Sequence, residues 1–301
     1  MKILLLGKNG QVGWELQRAL AVLGEVIALD RHTSQTAYGE LSGDLSSPDS
    51  LRDTIRRLQP QVIVNAGAYT AVDKAETEQE LAHRVNALAS QAMAEEALRL
   101  DALLIHYSTD YVFDGTGTTA WKETDAVSPV NHYGTTKLEG ERLIAASGCK
   151  HLIFRTSWVY ASRGNNFAKT MLRLARERTT LNVIADQIGA PTGAELLADV
   201  TAVALQQTLK QPELGGIYHL APAGEVSWHA YAQYVIDVAR AQGETLAVET
   251  VAPIGTVDYP TPARRPLNSR LNTEKLREAF SLHLPNWQSG VTRMLMEVLN
   301  K

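Results

Sequence analysis

The sequence predicts an α/β protein, a doubly wound parallel sheet with a smaller mixed lobe toward the C-terminus. Three observations carry this. Short apolar runs alternate with amphipathic helical stretches up to about residue 160, which argues for a parallel sheet covered on both faces. A glycine loop, Gly7-Lys-Asn-Gly10-Gln-Val-Gly13, lies between the first run and the first helix. Beyond about residue 160 the pattern turns irregular, aromatic and proline-bearing, as in a lobe that covers a ligand.

The chain has 301 residues, 45% of them hydrophobic and 21% charged, the profile of an ordinary globular protein. A formal net charge of -4 gives no basic face, so nucleic acid is not an expected partner. No stretch is long enough to span a bilayer, so no membrane association is expected. The apolar run after Met1 is too short for a signal peptide and ends in glycine. Cys149 is the only cysteine, which excludes an internal disulfide and a thiolate metal cluster. These features together fit a cytoplasmic protein.

Taken in order, Lys2 to Leu6 reads as a buried parallel strand. The three glycines let the backbone turn tightly and approach a ligand. The following helix places Val12, Leu16, Ala19, Leu20 and Leu23 on one apolar stripe. Its N-terminus offers free N–H groups and a positive dipole end, suited to a pyrophosphate. The second strand, Glu25 to Leu29, ends at Asp30, where a carboxylate can hold a ribose hydroxyl. That carboxylate favours NADH by repelling a 2′-phosphate, whereas Arg31 beside it would attract one, so NADH and NADPH both remain open.

Ser47 and Pro48 open a helix that runs to about Leu58, before Pro60. Val62 to Asn65 is a third buried strand, and its loop, Ala66 to Thr70, lies at the sheet edge where ligands bind. A long helical stretch is expected over 71–100. The strand Leu103 to Ser108 runs into Thr109-Asp-Tyr-Val-Phe113, placing hydroxyls and a carboxylate at a strand's C-terminal end. Residues 114–129 read as loop. The next helix carries Tyr133 and Lys137, four apart and therefore on one face. A strand over 150–155 leads into Thr156-Ser-Trp-Val-Tyr160. Later helices are expected near 165–178, 195–210, 227–241, 273–280 and 288–299, with a strand at 217–220. A proline-marked loop carries Arg264 and Arg265. The organisation expected is a dinucleotide-binding domain over 1–160 and a mainly substrate-binding lobe over 161–301, partly interleaved with it.

The glycine loop, Asn65-Ala-Gly-Ala-Tyr-Thr-Ala-Val-Asp-Lys-Ala-Glu76, Ser108 to Phe113 and Tyr133-Gly-Thr-Thr-Lys137 carry a family resemblance. So do Arg155 to Tyr160, Gly164 to Lys169, Asp186-Gln-Ile-Gly-Ala-Pro-Thr192 and Arg265-Pro-Leu-Asn-Ser-Arg270. Together they resemble the extended short-chain dehydrogenase/reductase superfamily, built on a Rossmann fold, and within it the dTDP-4-dehydrorhamnose reductase family. The stretches span nearly the whole chain. Gly67 and Tyr69 depart from the family pattern, which has Ala and His there.

The resemblance implies hydride transfer from NADPH or NADH to the C4 keto carbon of dTDP-4-dehydro-β-L-rhamnose, the last step in making dTDP-L-rhamnose. The residues agree with that chemistry. The ketone oxygen gains charge as hydride arrives and needs a proton, with Tyr133 as the implied donor. A phenol near pKa 10 is poorly matched to neutral pH. Lys137, one turn away, is expected to lower it and to hold the nicotinamide ribose. Thr109 stands where the superfamily has serine and would hydrogen-bond the ketone oxygen; Asp110 would contact the sugar. Cofactor contacts implied by the resemblance are Gly7, Gly10, Gln11, Val12, Gly13, Asp30, Asp44, Leu45, Ala68, Tyr69 and Thr70, with Tyr133 and Lys137. Trp158 matches a substrate tryptophan, and Arg264 and Arg265 are candidates for the diphosphate. Some members are homodimers with Mg²⁺ held by three glutamates, matching Glu15, Glu195 and Glu297 here. From the sequence alone these are scattered helix-surface carboxylates.

Two other readings share the fold. A nucleotide-sugar epimerase would regenerate its NAD each cycle, and the wording Thr109-Asp110-Tyr-Val-Phe speaks against it. A non-catalytic subunit, like the regulatory β subunit of methionine adenosyltransferase, would show no turnover alone; the full set Tyr133, Lys137 and Thr109 speaks against that.

Overall fold

The computed structural model describes residues 1–300. Strands β1 (Lys2–Leu6) and β2 (Glu25–Leu29) precede a small antiparallel hairpin, β3 (Ser34–Thr36) and β4 (Gly39–Leu41). Then come β5 (Val62–Asn65), β6 (Leu103–Thr109), β7 (His151–Thr156) and β8 (Val159–Tyr160). The second half adds β9 (Thr180–Ile184), β10 (Ile188–Gly189), β11 (Thr192–Gly193), β12 (Gly216–His219), β13 (Val226–Ser227) and β14 (Thr250–Ile254). Six of these strands form one all-parallel sheet in the order β12-β7-β6-β5-β1-β2. The winding reverses direction between β1 and β5, so the crevice past their C-terminal ends is the natural ligand site.

Helices α1 (Gln11–Ala21) and α2 (Pro48–Leu58) follow the first strands. The segment expected as one long helix is broken into α3 (Val72–Ala75), α4 (Gln79–His83), a π turn (Arg84–Leu88) and α5 (Ala89–Leu100). The cause lies in what its polar residues do. Glu76 leaves the helical path to accept the His132 N–H, and Asn86 turns its amide onto the Tyr69 backbone. The chain continues through α6 (His132–Ser147), α7 (Phe167–Glu177), α8 (Ala194–Lys210), α9 (Trp228–Ala241), α10 (Glu274–Phe280) and α11 (Trp287–Val298).

Alternation along each strand decides which layer a residue meets. Ile3, Leu5, Val64, Ile105 and Phe154 pack against Leu16 and Leu20 of α1 and Leu197 and Leu205 of α8. Leu4, Leu6, Ile63, Leu104 and Ile153 pack on the other face, against Ile55, Met93 and Ile144 of α2, α5 and α6. By the same parity Asn65, His106 and Arg155, the next same-side positions on β5, β6 and β7, point toward α6. The lobe has its own core, in which Leu172, Val235 and Val291 of α7, α9 and α11 meet Leu181 and Val183 of β9. There β9 pairs with β14 in parallel, a pairing across some seventy intervening residues that the sequence pattern did not disclose.

Candidate active site

The glycine loop makes a close-packed floor at the switch point. Gly7 has φ +83°, and a Cβ there would lie 2.7 Å from the Gly67 nitrogen. At Gly13 a Cβ would come within 2.1 Å of the Gly7 carbonyl oxygen, so this glycine permits helix and loop to touch. Gly10 differs: its φ is -72°, and an added Cβ meets only the Gly7 oxygen, at 3.3 Å. Gly10 is the N-cap of α1 and offers no side-chain cap, which leaves the first-turn N–H groups for a ligand.

A cavity of about 590 Å³ opens over this floor. Gly7, Gly10, Gln11 and Val12 line one end, with Ala68 and Thr70 of the β5 loop. Thr109, Asp110, Tyr133, Lys137 and Trp158 line the other. The uncapped helix end, the absent Cβ atoms and the acceptors beyond fit a dinucleotide stretched along the crevice. Gly13, Asp30, Asp44, Leu45 and Tyr69 are outside this lining. Asp30 accepts from Asn9 and from the His32 N–H and lies 3.9 Å from Lys8 Nζ. Asp44 accepts from Ser46, and Leu45 abuts the Gly67 position. The Tyr69 hydroxyl donates to Glu78 at 2.7 Å; burial first, then that carboxylate, pushes its pKa up to about 12.

Tyr133 is placed by the start of α6. Asn131 Oδ1 caps the Gly134 N–H at 2.8 Å, and Glu76 accepts the His132 N–H at 2.8 Å. Gly134 matters for a steric reason: a Cβ there would sit 2.2 Å from the Tyr111 carbonyl oxygen. The Tyr111 ring meets the Tyr133 ring edge-on, with centroids 5.7 Å apart. Burial raises the Tyr133 phenol well above its ordinary pKa, the Thr109 hydroxyl pulls it down, and Asp110 and Tyr111 push it up. Lys137 is not among the groups that act on this phenol in the structure. Lys137 Nζ is instead bonded to the Tyr107 carbonyl at 2.6 Å and to His106 Nε2 at 3.1 Å. Burial lowers Lys137 to about 8, against a raising influence from Glu141.

Thr109 donates to Asp110 Oδ1 at 3.1 Å and accepts from the Tyr111 N–H. Asp110 is buried, its Oδ2 has no partner, and burial lifts its pKa to about 6 despite the Ser269 and Thr109 hydroxyls. Asp110 thus lines the cavity with one buried carboxylate oxygen left without a partner. Trp158 holds a left-handed backbone, φ +49°, uncommon for a bulky residue and a mark of functional sites. Its indole stacks on Trp228 at 3.6 Å between centroids.

Arg264 and Arg265 lie outside the cavity lining. Arg265 is paired with Asp73 at 2.8 Å, which ties the proline loop to α3, while Arg264 is exposed. Glu15, Glu195 and Glu297 do share a second pocket, of about 240 Å³, with Asp199 and Arg293. Burial, then Glu195, raises the Glu15 pKa. Arg293 sits 3.4 Å from Glu195 and 3.9 Å from Glu297, and Arg18 sits 3.8 Å from Glu15. Among the described residues no group of three acidic, His or Cys side chains is arranged to hold a metal ion. The structure thus brings the three expected glutamates to one surface pocket, with Arg18 and Arg293 beside them.

Sequence reasoning passed over Asn65, His106, Asn86 and Trp228. Asn65 and His106 interrupt otherwise apolar strand ends, a signal that buried polar groups have partners. Asn86 holds the Tyr69 N–H and carbonyl and donates to Thr136 of α6, joining the cofactor loop to the helix of Tyr133. Its place in a π turn has no sequence signature.

Comparison with known proteins gives the same picture. The family profile described as RmlD substrate binding domain matches residues 1–300. The chain is 58% identical to a dTDP-4-dehydrorhamnose reductase of Salmonella typhimurium over 298 residues, covering 99% of this chain and 98% of the relative. It is 56% identical to the enzyme of the same name from Escherichia coli, with the same coverage. Among solved structures, a dTDP-4-dehydrorhamnose reductase from Clostridium acetobutylicum superposes with a TM-score of 0.87 at 33% identity, covering both chains fully. One from Bacillus anthracis in complex with NADP gives 0.86 at 32%, covering 98% of this chain and 99% of that one. The parallel sheet, the glycine floor and the tyrosine–lysine helix thus belong to a chain that is a member of the dTDP-4-dehydrorhamnose reductase family.

Proposed function

We infer that this protein reduces the C4 ketone of dTDP-4-dehydro-β-L-rhamnose to dTDP-L-rhamnose, with NADPH or NADH as the hydride donor. The observation that carries the reading is one cavity that joins the uncapped α1 N-terminus to Thr109, Asp110 and Tyr133. The reduced nicotinamide supplies hydride. The chain's part is to bind, orient and protonate.

The free N–H groups at the start of α1 take the pyrophosphate, and Ala68 and Thr70 border its path. Tyr133, protonated at neutral pH, gives its phenolic proton to the ketone oxygen as negative charge develops there. The Thr109 hydroxyl turns its one proton from Asp110 Oδ1 to the same oxygen and holds it in place. Asp110 Oδ2 accepts from a ring hydroxyl, which fixes the sugar's orientation. Trp158 and Trp228 wall the cavity and exclude water from the reacting face. The reading extends to a homodimer in the cytoplasm; no helix is long and apolar enough to cross a membrane, and light scattering on purified protein tests the dimer.

The test is the nicotinamide absorbance with purified protein alone. One equivalent of NADPH or NADH consumed per dTDP-4-keto-6-deoxy sugar supports a reductase. Turnover with no net consumption indicates an epimerase, and no turnover indicates a binding subunit.

A further inference from the structure

A buried chain of hydrogen bonds runs from the cofactor loop to Lys137, and its polarity can be read from one end. The Gly67 N–H is a donor only, and it gives its proton to Asn65 Oδ1 at 3.1 Å. Asn65 therefore turns its amide NH₂ toward His106 Nδ1, 3.1 Å away, an orientation set by the network. Nδ1 must accept. A neutral imidazole then carries its single proton on Nε2. An imidazolium would face the amide donor with a second donor, and burial holds the His106 pKa well below its ordinary value.

The Nε2–H points at Lys137 Nζ, 3.1 Å away. An ammonium has three donors and no lone pair, so it cannot accept this proton. A free amine can, while still donating to the Tyr107 carbonyl at 2.6 Å. The docked lysine is thus the uncharged form.

We propose that His106 is a positioning residue that docks Lys137 as the neutral amine, and that seating the dinucleotide draws a proton from solvent onto Lys137 and releases it toward the ribose. The identity of the dinucleotide rests on the reductase reading; the docking does not. Every charged or titratable neighbour is accounted for. On α6 these are Tyr133 and Glu141, and Glu141 is held by the buried Arg155 of β7. On β6 it is His106, with the Tyr107 carbonyl. The π turn and α5, packed against α6, present the uncharged Asn86 and Ser90. Asp110, at the same end of the cavity, acts on Tyr133. Above about pH 8, where Lys137 is mainly uncharged, the positive charge that acidifies Tyr133 accordingly arrives with the cofactor.

Two measurements decide this. In cofactor-free protein labelled with ¹⁵N-histidine, His106 is assigned as the signal missing from His106→Gln. At about pH 9, where Lys137 is mainly uncharged, its imidazole is expected to carry the proton on Nε2. A proton on Nδ1 overturns the docking. Calorimetric titration with NADP⁺ at the same pH, in buffers of differing ionisation enthalpy, should show uptake of roughly half to one proton per site. In His106→Gln, whose amide oxygen can accept from an ammonium, uptake should fall about fivefold or more. Normal NADP⁺ binding without uptake in the unmodified protein overturns the coupling. Failure of NADP⁺ to bind at all counts against the reductase reading, while the imidazole tautomer still decides the docking.

Discussion

Arg155 grips Glu141 through parallel hydrogen bonds, Nε to Oε1 at 3.0 Å and Nη2 to Oε2 at 2.7 Å, with both side chains buried. The pair joins β7 to α6, the helix that carries Tyr133 and Lys137. Removing one partner leaves the other charge buried and unpaired, which costs about 3–5 kcal/mol. Glu141→Ala should show that loss in urea unfolding, and Glu141→Ala with Arg155→Met should recover part of it.

Tyr133→Phe keeps the ring and its edge contact with Tyr111 but deletes the proton. Turnover should drop by about a hundred- to ten-thousand-fold, the usual contribution of a general acid. NADP⁺ affinity, followed by fluorescence, should stay within about twofold. Near-full activity in this variant would remove Tyr133 from its role.

The second and third glycines of the loop should respond differently. Gly10→Val places its branches where the pyrophosphate passes, at a backbone angle any residue adopts. Affinity for NADP⁺ should fall by at least about a hundredfold with little change in melting temperature. Gly13→Ala forces a Cβ onto the Gly7 carbonyl and should cost about 2 kcal/mol or more of stability. Equal melting temperatures for the two variants would contradict this division.

Asp110 ionises at a cost in the folded protein, where its pKa is about 6 against an ordinary value of 3.8. The folded state holds this proton more tightly than the unfolded chain, so Asp110 contributes stability at acid pH that is lost as pH rises through this window. Asp110→Asn does not titrate. Relative to the unmodified protein, it should gain up to roughly 3 kcal/mol on going from about pH 3 to pH 8. Its kcat/KM for the sugar nucleotide should fall. An unchanged stability difference across that range would show that Asp110 is not buried as a carboxylate.

Much of the site was legible because its parts are local. Strand, glycine loop and helix are contiguous, Thr109 and Asp110 end one strand, and Tyr133 and Lys137 share one helical face. What those residues touch was not legible. Spacing puts Lys137 one turn from Tyr133 but does not reveal that His106, thirty-one positions earlier, claims its amine first. Trp158 was readable as a pocket residue, yet its stacking partner Trp228 lies seventy positions on, at the start of α9. The break between 71 and 100 escaped because Glu76 and Asn86 are ordinary helix-surface residues until α6 and the Tyr69 backbone supply partners for them.

The sheet's sixth strand, β12, comes from beyond residue 200 and pairs with β7, and α8 covers the same sheet beside α1. A chimera that grafts another member's sequence after residue 160 would exchange this edge strand and the α1–α8 packing along with everything else beyond that point. Exchanging the loop around Trp158, which lines the cavity, alters the site without cutting the chain in two.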